Sequence, residues 1–525
     1  MQDNTVIIDG PEEPPAIRTS EIFNVAVPLI DRHLEEGRGE KIVIRTAETE
    51  VTFAELAERV NRWGNALGTL GIEPGERLLM VVKDCPEFFH LFFGAIKAGV
   101  IPVPVNTMVR TADYKFLIED SGCKILVYSP DLAEAVEAGL ADAEHKPAVI
   151  LKASGPSSAA ELLEAASPDL APAPTTAEDD CFWLYSSGST GNPKGVVHAH
   201  RAMLYTGQCA AVDTLGILED DVCFSASKLF HSYGFGNSLT FPLWVGCTAF
   251  LSERVVSPEM TFDIIERFKP TVFFGVPTLY AQQCEYLEGK QPDISSLRAC
   301  ASAGEALPGD IFKRWRQKTG TLILEIYGST EVLHAVIGNS AARHYPGSSG
   351  QVVGRYEAKI VGEDGNPVEQ GEIGAVHVRG GSVAKYYWND AEKTAATMLP
   401  GGWLNMGDNS YQDEDGWYLY CGRRDDMMKV GGLWCSPFEI EARLIEHPKV
   451  LEAAVVGRAD PDGLLKPEAH IILADGADAG EAVEEALLAH CRDGLSHYKY
   501  PRWFNFVDEL PKTATGKIQR FKLRQ

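Results

Sequence analysis

The segment that most restricts the architecture of this chain is Tyr185-Ser186-Ser187-Gly188-Ser189-Thr190-Gly191-Asn192-Pro193-Lys194-Gly195. It follows the apolar run Phe182-Trp183-Leu184-Tyr185, so a strand leads into a loop of glycines and hydroxyl side chains with one lysine. Glycine permits positive φ and close backbone approach, and successive N–H groups then form a nest for an anion. Hydroxyls add donors and Lys194 adds a point charge. The anion that suits such a loop is phosphate; the bland alternative is a flexible surface loop. A P-loop of the NTPase or kinase kind ends in Gly-Lys-Ser/Thr and opens a helix. Here Pro193 precedes the lysine and Gly195 follows it, which argues against that class and against release of ADP.

The rest of the chain predicts alternating strands and helices. Thr52 and Glu55 form a capping box, and Leu56, Val60, Trp63 and Leu67 recur on one helical face, with Gly71 as the C-cap. Strands are expected at 77–82, 101–105, 221–225, 271–276 and 322–326, and helices at 86–97, 202–212 and 262–268. Residues 152–180, rich in Ala, Pro, Ser and Glu, predict a surface excursion. Short runs between glycine-rich turns at 350–379 predict a small β-barrel-like part. Ser436-Pro437-Phe438-Glu439 predicts a second capping box with proline at the first helical position. A strand at 450–456, a helix at 481–491 and a strand at 503–507 complete an α+β unit of roughly 100 residues. At 525 residues the chain exceeds one ordinary domain. The expected fold is α/β: a large domain of layered α/β subdomains over 1–424, then a small mobile α+β domain over 425–525, with the polar run Arg423-Arg424-Asp425-Asp426 between them.

Composition narrows the partners. The formal net charge of −26 disfavours a phosphate backbone, so nucleic acid is not an expected partner. Eleven cysteines occur without a CxxC pair, several in apolar surroundings, which reads as reduced buried thiols in a cytosolic protein. The start, Met-Gln-Asp-Asn, has no basic segment followed by an apolar one, so no signal peptide is expected. The longest apolar stretch, 88–105, is broken by His90, Lys97 and prolines, so no membrane span is expected.

Six motifs in order give the chain a family resemblance. They are 185–195, Ser302-Ala303-Gly304-Glu305-Ala306-Leu307, Tyr327-Gly328-Ser329-Thr330-Glu331, 403–408, 422–432 and Pro511-Lys512-Thr513-Ala514-Thr515-Gly516-Lys517. Over nearly its whole length the chain resembles the acyl-adenylate-forming superfamily of acyl- and aryl-CoA ligases, adenylation domains and luciferases. The chemistry agrees with such motifs. A carboxylate attacks the α-phosphorus of ATP and pyrophosphate leaves, so catalysis is positioning plus electrostatics without a protein nucleophile.

The resemblance implies residue roles, with ATP, Mg²⁺ and coenzyme A as the small molecules handled. Ser186, Ser187, Gly188, Ser189, Thr190, Gly191 and Lys194 would hold the β- and γ-phosphates. Glu331, with Thr190, would bind Mg²⁺. Thr330 would donate to the α-phosphate or the acyl oxygen. Tyr327 would stack on adenine opposite Gly304 and Glu305, with Glu325, Gly328 and Ser329 also at the nucleotide. Asp408 would accept from the ribose hydroxyls and Arg423 would reach the ribose. Lys517 would approach the α-phosphate and the carboxylate when the small domain closes. Asp425 would be the hinge, and Gly431 and Gly432 would border the channel for the pantetheine arm of coenzyme A. A homodimer is implied by the family alone.

Residues 228–243, 302–308, 328–334 and 511–524 more closely resemble the benzoate-CoA ligase branch. That implies an acid pocket of Ser232, Tyr233, Gly304, Gly328, His334 and Ala335, with His231 at the gate beside the acyl carbonyl. Aromatic and apolar walls with glycine gaps suit a flat ring. Ser232 stands where a small apolar residue is usual, and Ala335 where a larger aliphatic one is. The pocket is therefore expected to be roomier and more polar, open to a hydroxy- or aminobenzoate. The rival readings are a short- or medium-chain fatty acyl-CoA ligase, which needs a tunnel, and an adenylation enzyme loading a separate carrier protein. No Asp-Ser attachment site follows Lys517.

Overall fold

The computed structural model describes residues 2–8, 17–186, 192–423, 425–430, 433–461, 463–474, 477, 479–512 and 518–524. Its largest sheet carries six strands in parallel, in the spatial order Ile42–Arg45, Thr248–Phe250, Val222–Ser225, Val272–Gly275, Ala299–Ser302 and Ile323–Gly328. Strands covered on both faces read as continuous apolar runs, as Val272–Gly275 does. On one face, helices Pro258–Phe268, Pro277–Gly289 and Gly309–Thr319 close a core around Phe273, Tyr280 and Trp315. On the other, Phe241, Phe274, Leu324 and Ala335 pack together.

A second parallel sheet has the order Ile101–Pro104, Arg77–Val81, Ile125–Tyr128 and Val149–Lys152. Helix Phe53–Thr69 lies beside it and begins as expected. Thr52 N donates to Glu55 Oε2 at 2.8 Å, and Glu55 N donates to Thr52 Oγ1 at 3.2 Å. Gly71, just past its last turn, takes φ +71°. The helix crosses Pro86–Lys97 at Gly94, where a Cβ would sit 2.7 Å from Val60 O and 2.8 Å from Trp63 Cδ1.

Two expectations need correction. Residues 152–180 are not wholly a surface excursion, because Ala159–Ala165 is a helix whose Ala159 and Leu163 are buried in the same core as helix Phe53–Thr69. That face contributes so few apolar side chains that its period does not stand out. The second capping box is half formed: Ser436 Oγ accepts from Glu439 N at 3.4 Å, but the Glu439 carboxylate is taken by Lys499 Nζ, 2.6 Å from Oε1.

The β-rich stretch forms a five-stranded antiparallel sheet of Glu357–Val361, Gly374–Arg379, Met398–Leu399, Trp403–Gln412 and Tyr418–Arg423. The last unit has a core of its own that includes Met428, Ile440, Leu444, Val455, Ile471 and Leu487. Sheet Val450–Ala459, Leu465–Leu473 and Trp503–Phe506 and helices Pro437–Ile445 and Glu481–Gly494 surround it. All eleven cysteines are free thiols, and all but Cys85 are buried. Among the described residues no helix is long and apolar enough to cross a membrane.

Candidate active site

The expected site residues gather where the parallel strands of the large sheet end. Ser225, Gly275, Ser302 and Gly328 close neighbouring strands, and ligands of open α/β sheets bind outside such carboxyl ends. After Ser302 the chain must turn back at once, and Gly304 does so at φ +94°, a conformation side chains resist. Glu325 supports this turn from below: Leu307 N donates to its Oε2 at 3.1 Å and Ser349 Oγ to its Oε1 at 3.4 Å. Burial raises the Glu325 pKa to about 8.

Above the turn, three residues meet on the carboxylate of Asp408. Asp408 Oδ2 accepts from the Tyr327 phenol at 2.8 Å and Oδ1 from the Tyr420 phenol at 3.3 Å. Arg423 Nε is 3.8 Å from Oδ1, directly across the sheet pair of Trp403–Gln412 and Tyr418–Arg423. Asp408 lies within its strand and not on a loop, and Gly407 makes the local bend at φ +74°.

The phosphate end is a hairpin. Asp180–Ser186 and Lys194–Ala199 pair antiparallel with Lys194 opposite Ser186. Ser187, Gly188, Ser189, Thr190 and Gly191 lie outside the described residues. Lys194 Nζ is 2.8 Å from Asp390 Oδ2. Strand Tyr386–Tyr387 adds to the hairpin beside Val196, and the Tyr387 phenol donates to Glu331 Oε1 at 2.7 Å. Glu331 sits with Thr330 in the short 3₁₀ turn Thr330–Val332, preceded by Ser329. The next residue, Leu333, takes φ +64°, a strained choice for a branched side chain that sets the direction of His334.

His334 is where the acid-pocket residues converge. Its Nε2 lies 3.1 Å from Asn237 Oδ1, which fixes the proton on Nε2, and Asn237 Nδ2 donates to Ser225 Oγ at 3.2 Å. Phe241 meets the imidazole edge-on with centroids 4.5 Å apart, and Tyr233 lies at 5.6 Å. Two glycines make this cup possible: a Cβ on Gly236 would lie 2.2 Å from His334 Cδ2, and one on Gly328 would lie 1.8 Å from His334 O. Burial lowers the His334 pKa to about 3, so the ring is a neutral wall and not a cation. Ala335 is buried beside it. His231 precedes helix Ser232–Phe235, and a π-turn at Gly236–Thr240 then carries Asn237. The loop that leads into His231 is pinned by Asp84, whose Oδ1 accepts from Leu229 N at 3.1 Å.

Asp425 lies in a turn closed by Asp426 N donating to Arg423 O at 2.9 Å. Gly431, Gly432 and Lys517 lie outside the described residues. The described root of the Lys517 segment, Ile518, donates its N–H to Glu305 Oε1 at 2.9 Å. A cavity of about 610 Å³ separates the two units there. Glu305, Leu307, Tyr420, Phe438 and Arg520 line it, but Tyr327, Asp408 and His334 do not, so it is distinct from the acid cup. Sequence reading assigned no role to Tyr387, Asp390, Asn237 or Tyr420. Of these, Asn237 falls inside the recognised stretch 228–243 and Tyr420 stands beside the motif 422–432, whereas Tyr387 and Asp390 lie in neither.

Comparison with known proteins identifies the family of the chain. The profile described as AMP-binding enzyme matches residues 30–388, and that of the AMP-binding enzyme C-terminal domain matches 439–517. A benzoate–CoA ligase of Thauera aromatica is 46% identical over 523 residues, 99% of each chain. A 4-hydroxybenzoate–CoA/benzoate–CoA ligase of Rhodopseudomonas palustris is 40% identical over 508 residues, covering 96% of this chain and 94% of that one. The crystal structure of an anthranilate CoA ligase in complex with anthranoyl-AMP superposes with a TM-score of 0.90 at 39% identity, covering 96% of this chain and 97% of the other.

Proposed function

Because this chain belongs to the AMP-binding enzyme family, we propose that its site residues divide the work of an aryl-CoA ligase as their positions suggest. The enzyme is an AMP-forming acid–thiol ligase. It activates benzoate or a substituted benzoate with ATP as the acyl-adenylate, releases pyrophosphate, then transfers the acyl group to coenzyme A and releases AMP.

Asp408 accepts from the ribose hydroxyls, with Tyr327, Tyr420 and Arg423 holding it in place. Ser186, residues 187–191 and Lys194 take the β- and γ-phosphates. Gly304, Glu305, Tyr327, Gly328 and Ser329 bound the nucleotide, and Glu325 supports the 304–307 turn. Thr330 donates to the transferred phosphate or the acyl oxygen. Asp425 is the hinge between 1–424 and 425–525, Lys517 comes to the α-phosphate from the smaller unit, and Gly431 and Gly432 leave room for pantetheine. The separate core that begins at Met428 supports that division.

Mg²⁺ fits Glu331. The Tyr387 phenol orients one carboxylate oxygen, and among the described residues no group of three His, Cys, Asp or Glu side chains competes as a cage. A small hard cation of this kind binds through one or two carboxylates plus phosphate and water. Bound there with Thr190, it would neutralise phosphate charge.

The observation that carries the substrate reading is the cup of His334, Phe241 and Tyr233 over Gly236 and Gly328. Its walls are aromatic, and the small side chains of Ser232 and Ala335 favour an acid that carries a ring substituent. The hydroxybenzoate and anthranoyl ligands in the names of similar proteins support a substituted benzoate as the preferred acid. The free thiols support a reducing, cytoplasmic setting, the acidic balance supports partners that are small molecules and not nucleic acid, and the family supports a homodimer.

The test is AMP and pyrophosphate release with Mg-ATP and a panel of acids, with and without coenzyme A. The panel holds benzoate, its 2-, 3- and 4-hydroxy, amino and halo forms, cyclohexanecarboxylate, and butyrate to octanoate. Turnover on aromatic acids that needs coenzyme A is expected. Turnover confined to linear acids would refute the flat cup.

A further inference from the structure

The second parallel sheet has a crevice point of its own. The connection after Arg77–Val81 runs to Ile101–Pro104 on one side, and the connection after Ile125–Tyr128 runs to Val149–Lys152 on the other. Ligands of open α/β sheets bind where connections part in this way, outside the carboxyl ends of the two strands. Here the chain's own groups take that place. Ser129 N donates to Val81 O at 3.0 Å, Lys83 N donates to Ser129 Oγ at 3.0 Å, and Lys83 Nζ pairs with Asp131. Asp84, the next residue, reaches the large sheet instead: its Oδ1 accepts from Leu229 N at 3.1 Å, 145 residues along the chain and just past strand Val222–Ser225. Asp84 is buried, and burial raises its pKa to about 6 against the pull of the Lys228 ammonium, so it is a carboxylate at neutral pH. A main-chain N–H given to a carboxylate is a charge-assisted bond.

Leu229 leads into the turn that carries three residues of the acid cup and its gate, His231, Ser232 and Tyr233. The segment 84–92 holds this turn at both ends. Asp84 holds it before His231. Beyond Tyr233, Phe235 meets Phe92 edge-on with centroids 5.3 Å apart, and Phe92 belongs to helix Pro86–Lys97, which starts two residues after Asp84. Between the two holds the turn is tightly folded. His231 N donates to Lys228 O at 3.0 Å, Phe235 N donates to His231 O at 2.7 Å, and a Cβ on Gly234 would lie 2.2 Å from Lys228 O. Close-packed segments pass a displacement on instead of absorbing it, so a shift at Leu229 is carried to Tyr233.

We propose that Asp84 is a positioning residue for the acid: by holding Leu229 it sets where His231, Ser232 and Tyr233 stand, although it belongs to a sheet that contributes none of the cup residues. This rests on the reading of the cup given above. Asp84 acts through the turn, so its loss shows in recognition of the acid and not of ATP.

The experiment compares Asp84→Ala, Asp84→Ser, Asp84→Asn, Ser129→Ala and Tyr233→Ala in the full-length enzyme. Initial rates of AMP release with coenzyme A are measured against benzoate and against ATP, and melting temperatures are recorded alongside. Loss of a hydrogen bond to a charged group lowers kcat/KM for benzoate at least about tenfold in Asp84→Ala, with KM for ATP within about twofold of the parent. Asp84→Asn, whose amide oxygen still accepts from Leu229 N, stays within about threefold. Asp84→Ser keeps a polar group but is too short to reach that N–H. It behaves as the alanine variant does, which preserves the test if Asp84→Ala folds poorly. Ser129→Ala loosens the same end of the sheet without touching the turn, so it lowers the melting temperature but leaves kcat/KM for benzoate within about twofold.

Unchanged kcat/KM for benzoate in Asp84→Ala and Asp84→Ser would overturn the proposal. So would an equal loss in Asp84→Asn or Ser129→Ala, or a matching rise in KM for ATP, each of which would make Asp84 a general support of the fold. Tyr233→Ala removes a wall of the cup and lowers kcat/KM for benzoate at least about tenfold. If it does so while Asp84→Ala does not, the positioning inference fails and the reading of the cup stands. If Tyr233→Ala leaves benzoate turnover unchanged, the reading of the cup fails and the inference falls with it.

Discussion

The Tyr327 phenol donates a hydrogen bond of 2.8 Å to Asp408 Oδ2, joining the end of a parallel strand of the large sheet to the middle strand of a separate antiparallel one. Tyr327 and Asp408 come from two motifs that are far apart in the chain, and each was expected at the nucleotide for its own reason. Their contact makes them one device: the phenol that would lie under adenine also orients the carboxylate that would take the ribose.

That coupling is open to direct measurement. Tyr327→Phe removes one bond to a charged group, worth about 1.5–3 kcal/mol, and should raise KM for ATP roughly tenfold with little change in kcat. Asp408→Ala strands two phenols and a guanidinium as well, and should raise it by at least about 100-fold. Initial rates of AMP release against ATP concentration decide this; an unchanged KM in Tyr327→Phe would separate the tyrosine from ribose binding.

Glu331 and Tyr387 make a second pair. Glu331→Gln should raise the Mg²⁺ concentration needed for half-maximal adenylation at least about tenfold. Tyr387→Phe keeps the carboxylate but loses its orientation, and should raise it about tenfold, as removal of a ligand's supporting hydrogen bond does. Titrating Mg²⁺ at fixed free ATP is the assay, and an unaltered Mg²⁺ dependence in Glu331→Gln would remove the metal from that residue.

Ala335 tests the acid cup. Ala335→Ile adds bulk at a buried position beside His334, so kcat/KM for 2-aminobenzoate or 4-hydroxybenzoate should fall about 10- to 100-fold relative to benzoate, since added bulk in an apolar pocket discriminates by a few kcal/mol. Parallel loss on benzoate and its substituted forms would mean that the substituent does not lie there.

Stability should depend on pH in two opposed ways. Burial lowers His33, His90, His198 and His334 to about 3 and His200 to about 4. An unfolded imidazole titrates near 6.5, so below that pH the unfolded chain binds more protons and stability is lost as pH falls from about 6.5 toward 3. Glu325 works the other way. Burial raises it from 4.5 to about 8, the folded state holds the extra proton between those values, and stability falls as pH rises through that window. Glu325→Gln should therefore gain melting temperature relative to the parent on going from about pH 5 to about pH 8.5. A constant difference between the two proteins across that range would show that Glu325 titrates normally.

Legibility in the sequence follows the range of the forces involved. Helix Phe53–Thr69 could be read because its capping box and its apolar period act within a few residues. Helix Ala159–Ala165 could not, because its formation depends on Leu163 reaching a core built from distant segments. Ser436 was read correctly as a cap, but its expected partner Glu439 went to Lys499, which competes from 60 residues away. In the site, the motif residues announced themselves by type and spacing. Asn237, Tyr387 and Asp390 did not, since an asparagine, a tyrosine and an aspartate carry no local sign of whom they will hold.

The sequence by itself determined the chemical inventory: a glycine and hydroxyl loop, a Ser-Thr-Glu turn, an aspartate after Met-Gly, a terminal lysine, and the order in which they come. It also determined the local helices and strands, because those depend on neighbours in the chain. Only the tertiary structure decided the pairings, Tyr327 with Asp408, Tyr387 with Glu331, Asn237 with His334 and Ile518 with Glu305. Each joins residues that chain-local rules cannot relate. Such bonds exist only once strand order and layer packing have brought the two donor and acceptor atoms within about 3 Å, where a hydrogen bond has strength at all.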